Sequence, residues 1–218
     1  MMNVLVTGGT GYIGTRFVAA LVARGQSVRA LVRPGSAHRL PERVATVAGN
    51  ALNAASVTSV ADTSDTLVHL VGTPHPNPSK AEEFRRVDLG SIRASVAAAK
   101  DRHIAHLVYV SVAHPAPAMQ AYVAARIEGE GAIAEAGLTA TILRPWYVLG
   151  PGHWWPVVLT PFYAIGELLP STRESARRLG LVSVAQMVRA LVCGVESPPP
   201  EGTRRIVEVP EIRRAQPE

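Results

Sequence analysis

Thr7-Gly8-Gly9-Thr10-Gly11-Tyr12-Ile13-Gly14 is the stretch that decides the fold. It follows the apolar run Asn3–Thr7 and opens the Ala-rich segment Gly11–Ala23, so the spaced glycines fall at a strand–turn–helix junction. Gly8 permits a tight turn, Gly11 lets backbone come close to a pyrophosphate, and Gly14 lets the helix pack on the strand. The helix behind them presents unpaired N–H groups and a positive dipole end to phosphate. Without the flanking strand and helix the same glycines would read as a turn with no ligand.

Working outward, short β-branched runs alternate with helix-length segments. The runs are Asn3–Thr7, Ser27–Val32, Val44–Ala48, Thr66–Val71, His106–Ser111 and Thr139–Leu143. Between them lie Gly11–Ala23, Asn53–Val60, Lys80–Arg102 and Gln120–Ala136, each able to form a helix. Near-continuous apolar strands such as LVHLV and LVYVS imply burial on both faces, hence a parallel sheet covered by helices. The alternation predicts an α/β fold with a doubly wound parallel sheet. No internal repeat is present. After Pro145 the pattern loosens, with a strand predicted near Leu179–Ser183, a helix near Val184–Val195 and a last strand near Arg205–Val209. Residues 1–150 read as the dinucleotide-binding core, and 151–218 as a small C-terminal subregion packed on it, too thin to hold a core alone.

Composition narrows the function. The chain has 218 residues, 47% hydrophobic and 18% charged, which suits a folded domain and excludes disorder. One cysteine, Cys193, excludes an internal disulfide, and its apolar surroundings read as core packing. The net charge is +5, but the arginines are scattered, so nucleic acid is not expected as a partner. No uninterrupted apolar segment of about 18 residues and no signal-type leader is seen, which points to a cytoplasmic protein without an integral membrane segment. His103 and His106 flank a strand start without a second ligand pair, so no metal site is expected. The segment His153–Pro170, with two tryptophans and two further aromatics, reads as a core or lid segment, or as an apolar substrate wall.

TGGTGYIG resembles the TGxxGxxG fingerprint of the short-chain dehydrogenase/reductase superfamily, whose fold is the Rossmann type. It looks most like the extended and atypical branches, which include sugar-nucleotide epimerases and NmrA-like proteins. VRALVR, YVS, YVAARIEGE and TILRPWYVLGPG extend the resemblance over about residues 1–152. It implies that Gly8, Thr10, Gly11, Tyr12, Ile13 and Gly14 hold a dinucleotide. Asn50 and Ala51 would flank the adenine, Val71, Gly72 and Thr73 the pyrophosphate and ribose, and Pro145 and Val148 the nicotinamide end. An acidic residue ~20 positions beyond the glycines marks NAD selectivity. Arg33 occupies that place, and no Asp or Glu occurs between Gly14 and Glu42, so NADP is expected, with NAD the alternative.

The superfamily's catalytic Ser, Tyr and Lys fall on Ser111, Tyr122 and Arg126. Tyr122 and Arg126 share one helix face, but arginine stays protonated and cannot relay a proton as lysine does. With 20 Arg against two Lys, composition alone can also account for the exchange. Glu128 and Glu130 read as a solvated face. The resemblance implies an NADP-dependent oxidoreductase or epimerase-like enzyme on a small molecule, in which Tyr122 moves a proton, Ser111 orients the substrate oxygen and Arg126 holds the ribose. The rival is a non-catalytic dinucleotide-binding module, either a redox sensor or an accessory subunit. The helices after the fourth and fifth strands often form a dimer face in the family, so a homodimer is a candidate assembly.

Overall fold

Seven parallel strands form the main sheet: β1 (Asn3–Thr7), β2 (Ser27–Val32), β3 (Ala45–Ala48), β4 (Thr66–His69), β5 (His106–Val110), β6 (Ala140–Arg144) and, far along the chain, β9 (Arg204–Glu208). Their order is β3-β2-β1-β4-β5-β6-β9, every neighbouring pair parallel. The computed structural model describes residues 1–61, 66–74, 76–152 and 173–217. The doubly wound α/β sheet expected from the alternation is the one observed.

The pleat sorts the residues of the inner strands into two core layers. Val4, Val6, Val68, Val108 and Leu143 face one side, where α1 (Tyr12–Ala23) and α6 (Val184–Glu196) supply Phe17, Leu21, Met187 and Leu191. Leu5, Leu67, Leu107, Tyr109 and Ile142 face the other, against α2 (Ala54–Thr58), α3 and α4 (Gln120–Glu135). Helix α3 starts at Ala81–Glu83, widens into a π-helical turn over Phe84–Leu89 and returns to α-helix over Gly90–Asp101. Ser183 caps α6 in a capping box with Gln186, which fixes where that helix begins.

Three features depart from the sequence reading. β3 is exposed throughout, because at this edge of the sheet none of its side chains joins either core layer. Tyr147–Leu149, in the stretch directly after Pro145 where no strand is predicted, is β7 and pairs in parallel with β8 (Leu181–Ser183) in a small second sheet. The C-terminal segment adds α5 (Arg173–Arg178) and α7 (Val209–Arg214), the latter starting directly at the end of β9. The aromatic stretch His153–Pro170 lies outside the described residues. Among the described residues no helix is long and apolar enough to cross a membrane.

Candidate active site

The strand order reverses between β1 and β4, and ligands of open α/β sheets bind at the carboxyl ends beside such a point. Gly8 occupies it. Its φ is +76°, and a Cβ there would stand 2.6–2.8 Å from the Leu70–Val71 backbone, so the glycine loop and the chain leaving β4 touch directly. Gly11 differs. Its φ is −77°, and a Cβ would meet only the Gly8 carbonyl oxygen, at 3.2 Å, leaving room above the loop. Gly11 precedes α1 without side-chain capping, and the first turn carries no acidic residue, so no carboxylate of that turn competes with a phosphate. The cradle fits a dinucleotide pyrophosphate.

Around it, Thr10 is buried and Ile13 packs on the core. The Tyr12 hydroxyl lies against Gly150, just beyond β7, while Arg16 stacks 4.7 Å from the Tyr12 ring. Burial raises the Tyr12 phenol pKa, with Arg16 partly opposing. Arg33 follows β2, exposed, and its guanidinium has no hydrogen-bond or ion-pair partner among the described residues. Asn50 follows β3; its side chain accepts from Leu52 N–H (3.0 Å) and its own N–H donates to Ser56 Oγ (3.0 Å), which holds Ala51 in a fixed turn. Pro145 is buried and accepts from Ala113 N–H (2.9 Å), and Val148 sits in the small sheet opposite Val182.

On the far side of the crevice, α4 presents Tyr122, Arg126 and Glu130 at i, i+4 and i+8. Arg126 is fully buried. One Nη donates to Asp88 of the π-turn, the other to the Val110 carbonyl at the end of β5 (2.8 Å). Its guanidinium carbon lies 5.2 Å from the Tyr122 ring centre and 5.8 Å from that of Tyr109. Burial works against its charge, but Tyr122, Tyr109 and Asp88 outweigh it and hold the guanidinium more firmly protonated than usual. Asp88 also accepts from the Thr73 hydroxyl (2.6 Å) and Thr73 N–H (3.2 Å). Any Cβ on Gly72 would collide with Arg126. The Tyr109 hydroxyl is pushed up to about 12 by burial, against the pull of Arg126, so it stays a phenol.

Ser111 and Glu130 depart from the sequence reading. Ser111 is buried and donates to Glu130 Oε1 at 2.5 Å, so its hydroxyl is directed at the second half of α4. Glu130, expected as part of a solvated face, is instead only 11% exposed and binds Arg144 through two oxygens. The cause is register: Arg144 ends β6 opposite Glu208 of β9 and bonds both carboxylates, Glu208 at 3.0 Å. His114 Nε2 stands 3.5 Å from the same Glu130 oxygen. Glu128 is half-exposed beside Arg93. The i+8 spacing from Tyr122 was the available signal for Glu130. Asp88 and Phe84, whose ring meets Tyr122 edge-on at 5.1 Å, had none.

Residues 8–151 match a family model described as NAD(P)H-binding. The chain belongs to this NAD(P)H-binding family. It is 27% identical to a ceramide reductase of Caulobacter vibrioides over 213 residues, 97% of this chain and 65% of that protein. It is 29% identical to 4-hydroxy-2-methyl-3-oxo-4-farnesyl-3,4-dihydroquinoline-1-oxide ketoreductase of Stigmatella aurantiaca over 171 residues, 68% of this chain and 51% of that protein. The chain thus spans between half and two thirds of the length of these relatives. The structure of WbmH from Bordetella bronchiseptica in complex with NAD+ shares the fold, with a TM-score of 0.69 at 23% identity over 90% of this chain and 73% of the other. The superfamily expected from the glycine fingerprint is thereby the right one for this NAD(P)H-binding protein.

Proposed function

We propose that the protein is an NADP-dependent reductase of a small-molecule ketone or aldehyde, with Tyr122 as its proton donor. One observation carries the reading: the chain leaving β4 touches Gly8 on one side and, at Gly72, Arg126 on the other. The phosphate cradle and the helix bearing Tyr122 therefore share a single wall. Two relatives named as reductases support the reaction type.

Gly8, Thr10, Gly11, Tyr12, Ile13 and Gly14 would hold the pyrophosphate, and Arg33 the 2′-phosphate. Asn50 and Ala51 would flank the adenine. Val71, Gly72 and Thr73, with Pro145 and Val148, would line the path to the nicotinamide. The bound cofactor supplies a hydride to the carbonyl carbon. Tyr122 gives its phenolic proton to the oxygen, which leaves an alcohol. Ser111 and Arg126 serve this step at one remove: Ser111 fastens α4 through Glu130, and Arg126 fastens it to Asp88 and Val110.

A second reading, the non-catalytic dinucleotide-binding module, draws on the same contacts, since Ser111 and Arg126 spend donors on protein groups rather than facing a ligand. One experiment separates the two. NADPH oxidation is followed with a panel of aldehydes and ketones for the wild type and Tyr122→Phe. A reductase gives turnover that falls at least a hundredfold in Tyr122→Phe, with NADPH affinity within about threefold. Turnover equal in both proteins, or absent from both beside tight NADPH binding, would sink the reductase.

A further inference from the structure

We infer that the π-helical turn Phe84–Leu89 is the device that positions Tyr122, with Phe84 and Asp88 as its two positioning residues. The inference rests on Tyr122 being the proton donor and adds what sets its place. The turn, Phe84-Arg85-Arg86-Val87-Asp88-Leu89, is closed by Gly90, whose N–H bonds the Arg85 carbonyl, and the wider turn brings Phe84 and Asp88 to one docking face. Phe84 and Asp88 are both fully buried, and both point at α4. Phe84 meets the Tyr122 ring edge-on at 5.1 Å, and Asp88 pairs with Arg126, one helical turn further along. Two residues four apart on one helix thus engage two residues four apart on the other.

Asp88 does more than fix Arg126. One oxygen takes the guanidinium, and the other takes the Thr73 hydroxyl at 2.6 Å. The same carboxylate therefore ties the Val71–Thr73 segment, part of the dinucleotide path, to the helix carrying Tyr122. Phe84 touches the tyrosine, and its hydrocarbon ring has no group with which to hydrogen-bond the segment as the carboxylate does. The two residues should then fail differently. Loss of Phe84 loosens Tyr122 alone, whereas loss of Asp88 loosens the tyrosine and the cofactor segment together.

The test uses the full chain, with thermal unfolding, NADPH titration by fluorescence, and steady-state reduction of a carbonyl substrate. Phe84→Leu is expected to lower kcat at least tenfold while KM and the NADPH Kd stay within twofold. Asp88→Asn is expected to lower kcat and also weaken NADPH binding at least threefold. Because Asp88→Asn strands a buried cation, Asp88→Asn/Arg126→Gln removes both charges and is expected to fold with the same two losses. A purely structural pair would lower the unfolding temperature and leave kcat per folded molecule untouched. Folded Phe84→Leu with wild-type kcat, beside an inactive Tyr122→Phe, overturns the positioning role alone. Folded Asp88 variants with wild-type NADPH affinity overturn the link to the cofactor segment. Full turnover in Tyr122→Phe overturns the donor assignment itself, so the two failures are distinguishable.

Discussion

Gly8 and Gly11 stand three residues apart in one loop, yet the same type of substitution should act on different properties. At Gly8 a side chain would require a left-handed φ and would collide with the Leu70–Val71 backbone, so Gly8→Ala should cost roughly 2–4 kcal/mol of stability. At Gly11 the backbone is extended and the space is open apart from one carbonyl, so Gly11→Val should fold. Its two methyls would stand where phosphate approaches, and dinucleotide affinity should fall at least tenfold. Denaturant titration and NADPH binding on both variants check the pair; equal affinity in folded Gly11→Val refutes the cradle. Arg33 answers a separate question. Its exposed guanidinium, without a partner among the described residues, suits a 2′-phosphate, and one charge-assisted bond is worth about 1.5–3 kcal/mol, so Arg33→Asp should shift the NADPH/NADH affinity ratio at least tenfold toward NADH. An unchanged ratio means that Arg33 merely meets solvent.

Among the elements, what the sequence makes legible follows from how local its cause is. β1 and β2 begin and end with their apolar runs, because strand and core pattern coincide there. Lys80–Arg102 reads as one helix, and a helix does form, but its π-turn meets α4 through Phe84 and Asp88, a contact between segments far apart in the chain that neither announces by itself. β7 is a three-residue strand that depends on β8, over thirty residues away, so its own residues could not announce it. Glu130 departs from its expected solvated place for a similar reason. Its helix position suits solvent, but Arg144 and Ser111 arrive from strand ends and enclose it. Glu130→Gln should therefore destabilise by about 1–2 kcal/mol, more than an exposed pair would, with Glu208 still holding Arg144. A chemical melt measures this, and a change below about 0.3 kcal/mol would mean the Glu130–Arg144–Glu208 chain adds nothing.

At the scale of the whole molecule, two neutral histidines buried within the sheet tie folding to pH. His69 ends β4 and is completely enclosed: Nδ1 lies 3.0 Å from Thr7 Oγ1 and 2.9 Å from Ser95 Oγ, and Nε2 lies 3.2 Å from Ser91 Oγ. Burial, with Arg126 adding to it, lowers its pKa to about 3. His106 starts β5, bonds Thr141 Oγ1 at 3.0 Å, and is lowered to about 4 by burial and by Arg205. In the unfolded chain both titrate near 6.5. Between the two sets of values the unfolded chain binds protons that the folded one refuses. The stability these rings contribute is thus complete above about pH 6.5 and is lost as pH falls toward 4 and then 3. Each ring contributes a slope approaching about 1.4 kcal/mol per pH unit within its window, so the pair should cost about 2.5 kcal/mol between pH 5.5 and 4.5. Urea unfolding at half-unit steps from pH 7 to 4.5 reads the slope directly. His106→Gln should remove about half of it while retaining an amide for Thr141. A flat profile in the wild type, or an unaltered slope in a folded His106→Gln, would show that these rings accept protons in place.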